Sequence, residues 1–292
     1  MPDDTLTLTK HHGLGNDFLV LLDAEASHPL DADTTRTLCD RHMGVGADGL
    51  IRATPLDGGG AAVAAMELRN ADGSEAEMSG NGIRCLAQAL MLAGWVREMP
   101  VGSAVAIRTA AGVRSVTLHG RPDALTHTLS VGMGSARIDG EAPEWTGEVV
   151  HRALRVDVGN PHLVAELATG LAPDAVDLVD LGERVNAKVP GGANVHVLVP
   201  DGPGRIAIRS YERGVGPTLA CGTGACAAAV AARAWGLVGD SVTVDQPGGS
   251  AEVSVEDHGT VVLGGPATFV ATVELPEGWP EPVRPGEREP WR

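Results

Sequence analysis

The sequence predicts an α+β chain made of two copies of one unit, and three observations carry the prediction. A glycine turn opens a helical pattern twice. Ser79-Gly80-Asn81-Gly82 precedes Ile83, Leu86, Leu90 and Ala93, and Cys221-Gly222-Thr223-Gly224 precedes an alanine run that ends at Trp235. Alanine has the best helix propensity, and Gly94 and Gly236 are the stops. Upstream of each turn lies an apolar, strand-like run, Ala61 to Leu68 and Arg205 to Ile208, followed by a polar loop, Arg69 to Glu75 and Arg209 to Gly214. The chain also holds 39 glycines, which suits many short strands. Each unit reads strand, polar loop, glycine turn, helix. Two such helix N-termini facing each other would hold a carboxylate on their free N–H groups, with residues 79 and 221 on either side. A helix N-terminus also lowers a thiol's pKa, so Cys221 is a candidate thiolate.

Taken in order, Thr5 to Lys10 predicts a strand. His11-His12-Gly13-Leu14-Gly15-Asn16-Asp17-Phe18 predicts a polar turn before an apolar strand at Leu19 to Leu22. Asn16 is a candidate substrate amide, although asparagine is also ordinary turn chemistry. Asp33 to His42 predicts a short helix capped by Asp31 or Asp33, with Cys39 as a small buried hydrophobe. Gly44-Val45-Gly46-Ala47-Asp48-Gly49 matches the dinucleotide fingerprint in letters, but it follows a helix where that motif needs a strand. Gly222-Thr223-Gly224-Ala225-Cys226-Ala227 matches the variant ending in alanine, with its strand ending too far upstream.

Ser103 to Leu118 predicts two strands joined near Ala111-Gly112. Gly120 to Asp123 is a polar break and sets the expected domains at 1–122 and 123–292. Thr128 to Met133 predicts a strand and Glu141 to Glu148 a loop. Val156 to Val158 leads into the turn Gly159-Asn160-Pro161-His162. There His162 is a candidate orienting group or general base, against the commoner case of a solvated turn histidine. Asp174 to Val185 predicts a short acidic helix, and Gly191 to Asn194 a turn before a strand at Val195 to Val199. Ser241 to Val244, Ala251 to Val255, Thr260 to Leu263 and Thr268 to Glu274 predict strands, the last able to return to the first domain. Pro276 to Arg292, with five prolines, predicts a flexible tail whose Trp279 and Trp291 need no functional role.

Composition narrows the function. At 292 residues the chain can build two domains and a substantial core. A net charge of -16 argues against nucleic acid or an anionic membrane as partner, and 3% aromatic residues against stacking platforms. No apolar run reaches membrane-spanning length, and Met1 to Lys10 is too polar for a signal peptide. The four cysteines, Cys39, Cys85, Cys221 and Cys226, are expected as free thiols of a reducing cytoplasm. Lys10 and Lys188 are the two lysines, and neither sits in a convincing site for a pyridoxal Schiff base. Amino-acid chemistry here is therefore expected without a cofactor or a metal.

Six separated motifs now stand in one order: His12 to Phe18, Asn70-Ala71-Asp72-Gly73-Ser74, Gly80-Asn81-Gly82, Gly159-Asn160-Pro161-His162, Tyr211-Glu212-Arg213-Gly214 and Ala220 to Gly224. In that order they resemble the diaminopimelate epimerases, over nearly the whole chain from Lys10 to Glu274. The resemblance implies two similar domains, each a mainly antiparallel sheet wrapped around a central helix, with the active site in the cleft between them. It implies inversion of an α-carbon by two cysteines on opposite faces, in lysine and peptidoglycan precursor synthesis, by a cytoplasmic homodimer. It implies catalytic roles at Cys221, residue 79, Glu212 and His162. Substrate contacts are implied from Asn16, Asn70, Gly80, Asn81, Asn160, Asn194, Glu212, Arg213, Gly222 and Thr223.

The departures are Pro217, where the family has an acidic residue, and Ser79, where it has the first catalytic cysteine. Cys85 lies too far along its helix to substitute. Three origins fit Ser79: an engineered replacement, a natural enzyme that tolerates serine, or a homologue that binds without turnover. A related racemase, or a hydroxy-amino-acid dehydratase that needs one base only to remove a β-hydroxyl, is the alternative enzyme. A silent amino-acid-binding protein is the alternative outside catalysis.

Overall fold

The computed structural model describes residues 6–56, 62–76, 78–97, 99–256 and 259–276. The first half runs β1 (Leu6–Gly13), β2 (Asn16–Leu22), α1 (Ala32–Cys39), β3 (Gly49–Pro55), β4 (Ala64–Asn70), α2 (Gly80–Leu92), β5 (Ala104–Thr109), β6 (Gly112–Gly120) and β7 (Thr126–Ser135). After the edge strand β8 (Arg137–Glu141) come β9 (Val150–Asp157), β10 (Pro161–Leu167), α3 (Leu178–Lys188), β11 (Asn194–Pro200), β12 (Arg205–Glu212), β13 (Gly216–Thr218), α4 (Gly222–Ala234), β14 (Ser241–Gln246), β15 (Gly249–Val255) and β16 (Thr260–Leu275).

The two halves repeat one pairing scheme. From β1 to β7 successive pairs are antiparallel, parallel, antiparallel, parallel, antiparallel and antiparallel. The series β9, β10, β11, β12, β14, β15, β16 follows the same sequence of senses. The long β16 joins the halves, pairing β7 along its first part and β1 along its second.

Each repeat wraps its sheet around one helix. Every residue of α2 from Gly80 to Leu90 is buried, and so is α4 from Gly224 to Ala232. A helix buried on all sides is mostly apolar all round; α4 meets that with alanine, whose small side chain lets the surrounding strands approach closely, while α2 also buries Asn81, Arg84 and Gln88. The helices end alike, with Gly94 and Gly236 both at φ 73. One continuous core contains both helices, while α3 and α1 anchor separate clusters on the outer faces.

Several expectations from sequence shift. His11 and His12 lie in β1, and the turn is reduced to Leu14-Gly15. The segment Gly49–Pro55 is a strand that periodicity did not signal. The first helix ends at Cys39, and the acidic helix begins only at Leu178, behind Asp177 as cap. Arg209 to Glu212 belongs to β12, because Ser210 turns inward against His196 and satisfies it there. Thr260 to Glu274 is a single strand. The expected tail and its tryptophans, from residue 277 onward, lie outside the described residues.

Candidate active site

Both glycine turns are helix N-caps of one geometry. Ser79 has φ -134 and ψ 118 and accepts the Gly82 N–H on its Oγ at 3.0 Å. Cys221 has φ -123 and ψ 112 and accepts the Gly224 N–H on its Sγ at 3.4 Å. A helix start leaves its first N–H groups without intrahelical acceptors. After the two cap bonds, those of Gly80 and Asn81 remain on α2, and those of Gly222 and Thr223 on α4.

The two starts abut. A Cβ added to Gly222 would stand 3.6 Å from Gly80 Cα and 3.7 Å from Asn81 N. Leu263 of β16 fills the space beneath, its Cδ2 lying 2.5 Å from where a Gly80 Cβ would be and 3.0 Å from that of Gly222. Any side chain at either glycine would have to displace Leu263 or separate the helices. Together the dipoles and free N–H groups of two helices converge on one point, which suits a carboxylate.

On the Cys221 side, the backbone N–H is held by Gln246 Oε1 at 2.8 Å, and Sγ lies 3.6 Å from Thr223 Oγ1. The thiol's resting state corrects the expectation of a lowered pKa. Burial, reinforced by the neighbouring Glu212, pushes the Cys221 thiol well above its usual range, and the N–H of Gly224 only partly offsets this. Burial raises the Glu212 carboxyl as well, partly offset by Thr218 and by the Cys221 thiol beside it. Glu212 and Cys221 are thus neighbours at the start of α4.

On the other side, Asn16 and Asn81 come together: Asn81 Nδ2 donates to Asn16 Oδ1 at 3.1 Å. Asn16 Nδ2 donates to Asp48 Oδ2 at 2.8 Å, and Arg41 holds Asp48 and Asp17 at 2.7 Å each. Asp48 therefore supports the site from within the glycine run that imitated a nucleotide motif. Asn70 stands one residue before Ala71, whose N–H donates to Asp48 O, and its own amide donates to Ser74 Oγ at 3.0 Å.

His162 is not a solvated turn residue. It lies in β10, 1% exposed, with Nε2 at 2.8 Å from Asn160 Oδ1 and Nδ1 at 2.8 Å from His196 Nε2. His196 Nδ1 is in turn 2.8 Å from Ser210 Oγ. With both rings neutral, the chain runs one way: Ser210 donates to His196, His196 to His162, and His162 to Asn160. That leaves the Asn160 NH2 outside this chain of hydrogen bonds. Asn194, 8% exposed, accepts the Arg213 N–H at 2.9 Å, and Arg213 Nη1 donates to the carbonyl of Gly191. Asn160, Asn194, Glu212 and Arg213 therefore gather on the side of Cys221.

Buried neutral histidines set an acid limit on the fold. Burial lowers His162 to about 3 and His11 to about 4, and lowers His196 well below its usual value. An unfolded histidine titrates near 6.5, so below that pH the unfolded chain binds more protons. The stabilisation is complete above pH 6.5 and falls as the pH drops toward the folded values. The raised Glu212 acts the other way, one group against four, since burial lowers His127 as well. The urea midpoint is expected to be lower at pH 5 than at pH 7.5; equal midpoints would count against neutral buried rings.

Sequence reasoning missed Gln246, Asp48, His196, Leu263 and Arg84. Asp48 had a local signal in its glycine run. Gln246 and His196 lie 25 and 34 residues along the chain from Cys221 and His162, the residues they support, and Arg84, only three from Asn81, sits in an apolar helical pattern.

Comparison with known proteins shows which family the chain resembles. A family model described as diaminopimelate epimerase matches residues 8–138 and 154–270. The diaminopimelate epimerase of Mycobacterium ulcerans (strain Agy99) is 40% identical over 296 residues, covering 94% of this chain and 98% of that protein. The diaminopimelate epimerase of Mycobacterium avium (strain 104) is 41% identical over 300 residues, with the same coverage. Among solved structures, a probable proline racemase from Agrobacterium radiobacter K84 aligns with a TM-score of 0.72 at 19% identity, covering 95% of this chain and 94% of its own; that likeness concerns the fold.

Proposed function

The chain belongs to the diaminopimelate epimerase family, and on that premise we propose that it interconverts LL- and meso-diaminopimelate by proton transfer at the α-carbon. The observation that carries this is the abutting pair of helix N-caps, with Cys221 on one and Ser79 on the other. The four free N–H groups bind the α-carboxylate and take up the charge that builds on it as the proton leaves. Glu212 accepts the thiol proton, and the Cys221 thiolate removes the α-proton. The Ser79 hydroxyl, its oxygen already occupied by Gly82, offers its own proton from the opposite face. Asn160, Asn194 and Arg213 hold the remaining polar groups of the substrate.

Neither lysine competes as a Schiff base. Lys10 is paired with Asp17 at 2.9 Å, and Lys188 lies over the Trp145 ring. Among the described residues no helix is long and apolar enough to cross a membrane. The direct test is α-proton exchange in deuterated water on meso-diaminopimelate, with no added cofactor. Deuterium is expected at the α-carbon with the wild-type chain and none with Cys221→Ala. Exchange that persists in Cys221→Ala, or that needs pyridoxal phosphate, would sink the proposal.

A further inference from the structure

Arg84 is the largest fully buried side chain among the described residues, and it lies in the second turn of α2, five residues after Ser79. Its Nη2 donates to Asn81 Oδ1 at 2.7 Å, while Nε and Nη1 are buried without a hydrogen-bond partner. Among the described residues no carboxylate pairs with it. A buried guanidinium without a counter-charge is costly, and an apolar residue of similar volume would ordinarily serve a core better. The fold nevertheless makes room for it. A Cβ at Gly265 would lie 3.1 Å from Arg84 Nη2, and one at Gly13 would lie 3.4 Å from it. Both glycines thus keep a seat open for the guanidinium between β1 and β16.

The bond to Asn81 begins a chain with defined ends. Arginine can only donate, and an ionised aspartate can only accept. Between them, Arg84 donates to Asn81 Oδ1, Asn81 Nδ2 donates to Asn16 Oδ1, and Asn16 Nδ2 donates to Asp48 Oδ2. The two ends leave each amide a single orientation. Without the donor at Arg84, Asp48 still sets which way the amides face, but the Asn81 oxygen is left without its partner in the core and the pair is anchored at one end only.

We propose that Arg84 is a positioning residue of the epimerisation site, fixing the Asn81 and Asn16 amides so that the remaining Asn16 N–H faces the substrate. The inference rests on the proposed function for its kinetic consequence, but not for the orientation itself. Gln88, one turn on, shows how the same helix treats an ordinary buried polar group: it is bonded to His11, to the Leu125 carbonyl and to the Ala267 carbonyl.

The first measurement needs no substrate. In protein labelled with ¹⁵N-asparagine, the side-chain amides of Asn16 and Asn81 are assigned from Asn16→Asp and Asn81→Asp. In Arg84→Met both signals are expected to shift and their protons to exchange about tenfold faster, one hydrogen bond's worth. The amide of Asn186, bonded to the Gly182 and Ala193 carbonyls, serves as the internal control and should not move. Unmoved Asn16 and Asn81 signals in a folded Arg84→Met overturn the proposal. If that variant fails to fold, Arg84→Leu replaces it. Leucine likewise removes the donor, so shifted amides support the proposal and wild-type spectra overturn it.

The second measurement is kinetic. Arg84→Met is expected to lower kcat about 100-fold with little change in KM, since a bound but misplaced substrate reacts slowly. Because Arg84 acts through Asn81, the double variant with Asn81→Ala should be no slower than Asn81→Ala alone. Additive losses would overturn the positioning role. A wild-type chain that does not turn over diaminopimelate would overturn the functional reading instead, while the amide spectra still decide the role of Arg84.

Discussion

Ser79→Cys should raise the rate of epimerisation about 100- to 10,000-fold, the range a positioned acid–base group supplies. The cap geometry is ready for it. At residue 221 a cysteine already fills the equivalent place, with similar backbone angles and its sulfur accepting the N–H three residues on. Inversion needs a base on one face and an acid on the other, and the roles exchange with direction. A thiol titrates near 8.5 in the reference state, whereas a serine hydroxyl is far less acidic and stays protonated. Ser79 can deliver a proton but is a poor base, so the wild-type chain has one competent base, Cys221.

The equilibrium between isomers does not depend on the enzyme, so both net rates must rise together. Exchange need not be symmetric. With wild-type protein in deuterated water, the isomer presenting its α-hydrogen to Cys221 should exchange with retention, and the other slowly. Ser79→Cys should make the two exchange rates comparable. The substitution gives up a strong N-cap, at a stability loss of up to about 1 kcal/mol. A faster but slightly less stable enzyme is therefore expected, checked by a coupled assay and a thermal melt. An unchanged rate in a folded Ser79→Cys would remove residue 79 from the reaction.

Those two residues were visible in the sequence because glycine turns and helix periodicity are local signals. The same holds for the two central helices and for most strands. What stayed hidden was hidden by chemistry that reads one way locally and resolves another way in three dimensions. Ser210 and Glu212 look like loop residues, yet β12 continues through them because His196, on the neighbouring strand, accepts the inward hydroxyl. Gly264-Gly265-Pro266 looks like a break, yet β16 runs on through all three. One of those glycines admits Arg84, and Pro266 sits within the register opposite Thr128. His162 reads as a solvated turn, yet its partner His196 is 34 residues away in the chain, and burial becomes tolerable only once that partner is present. Gln246 caps the backbone of Cys221 from a strand with no motif at all.

Glu212→Gln should move catalysis and thiol reactivity in opposite directions. In the resting site, burial together with the Glu212 carboxylate holds the Cys221 thiol well above its usual range. Glutamine removes the negative charge, so the thiolate population at a given pH should rise and iodoacetamide should label Cys221 faster. Cys85 and Cys226, pushed up to about 12 by burial against the offsetting charge of Arg84, should stay slow and serve as references. Epimerisation should nevertheless fall about 100- to 10,000-fold, because an amide cannot take the proton that Cys221 must release before it attacks the α-hydrogen. Peptide mapping after brief alkylation and the coupled assay read the two effects on the same protein. The opposition matters because a purely structural role for Glu212 would lower activity without quickening alkylation. Slower alkylation alongside slow turnover would point to a different arrangement, in which Glu212 creates a resting thiolate and does not hold the proton in reserve.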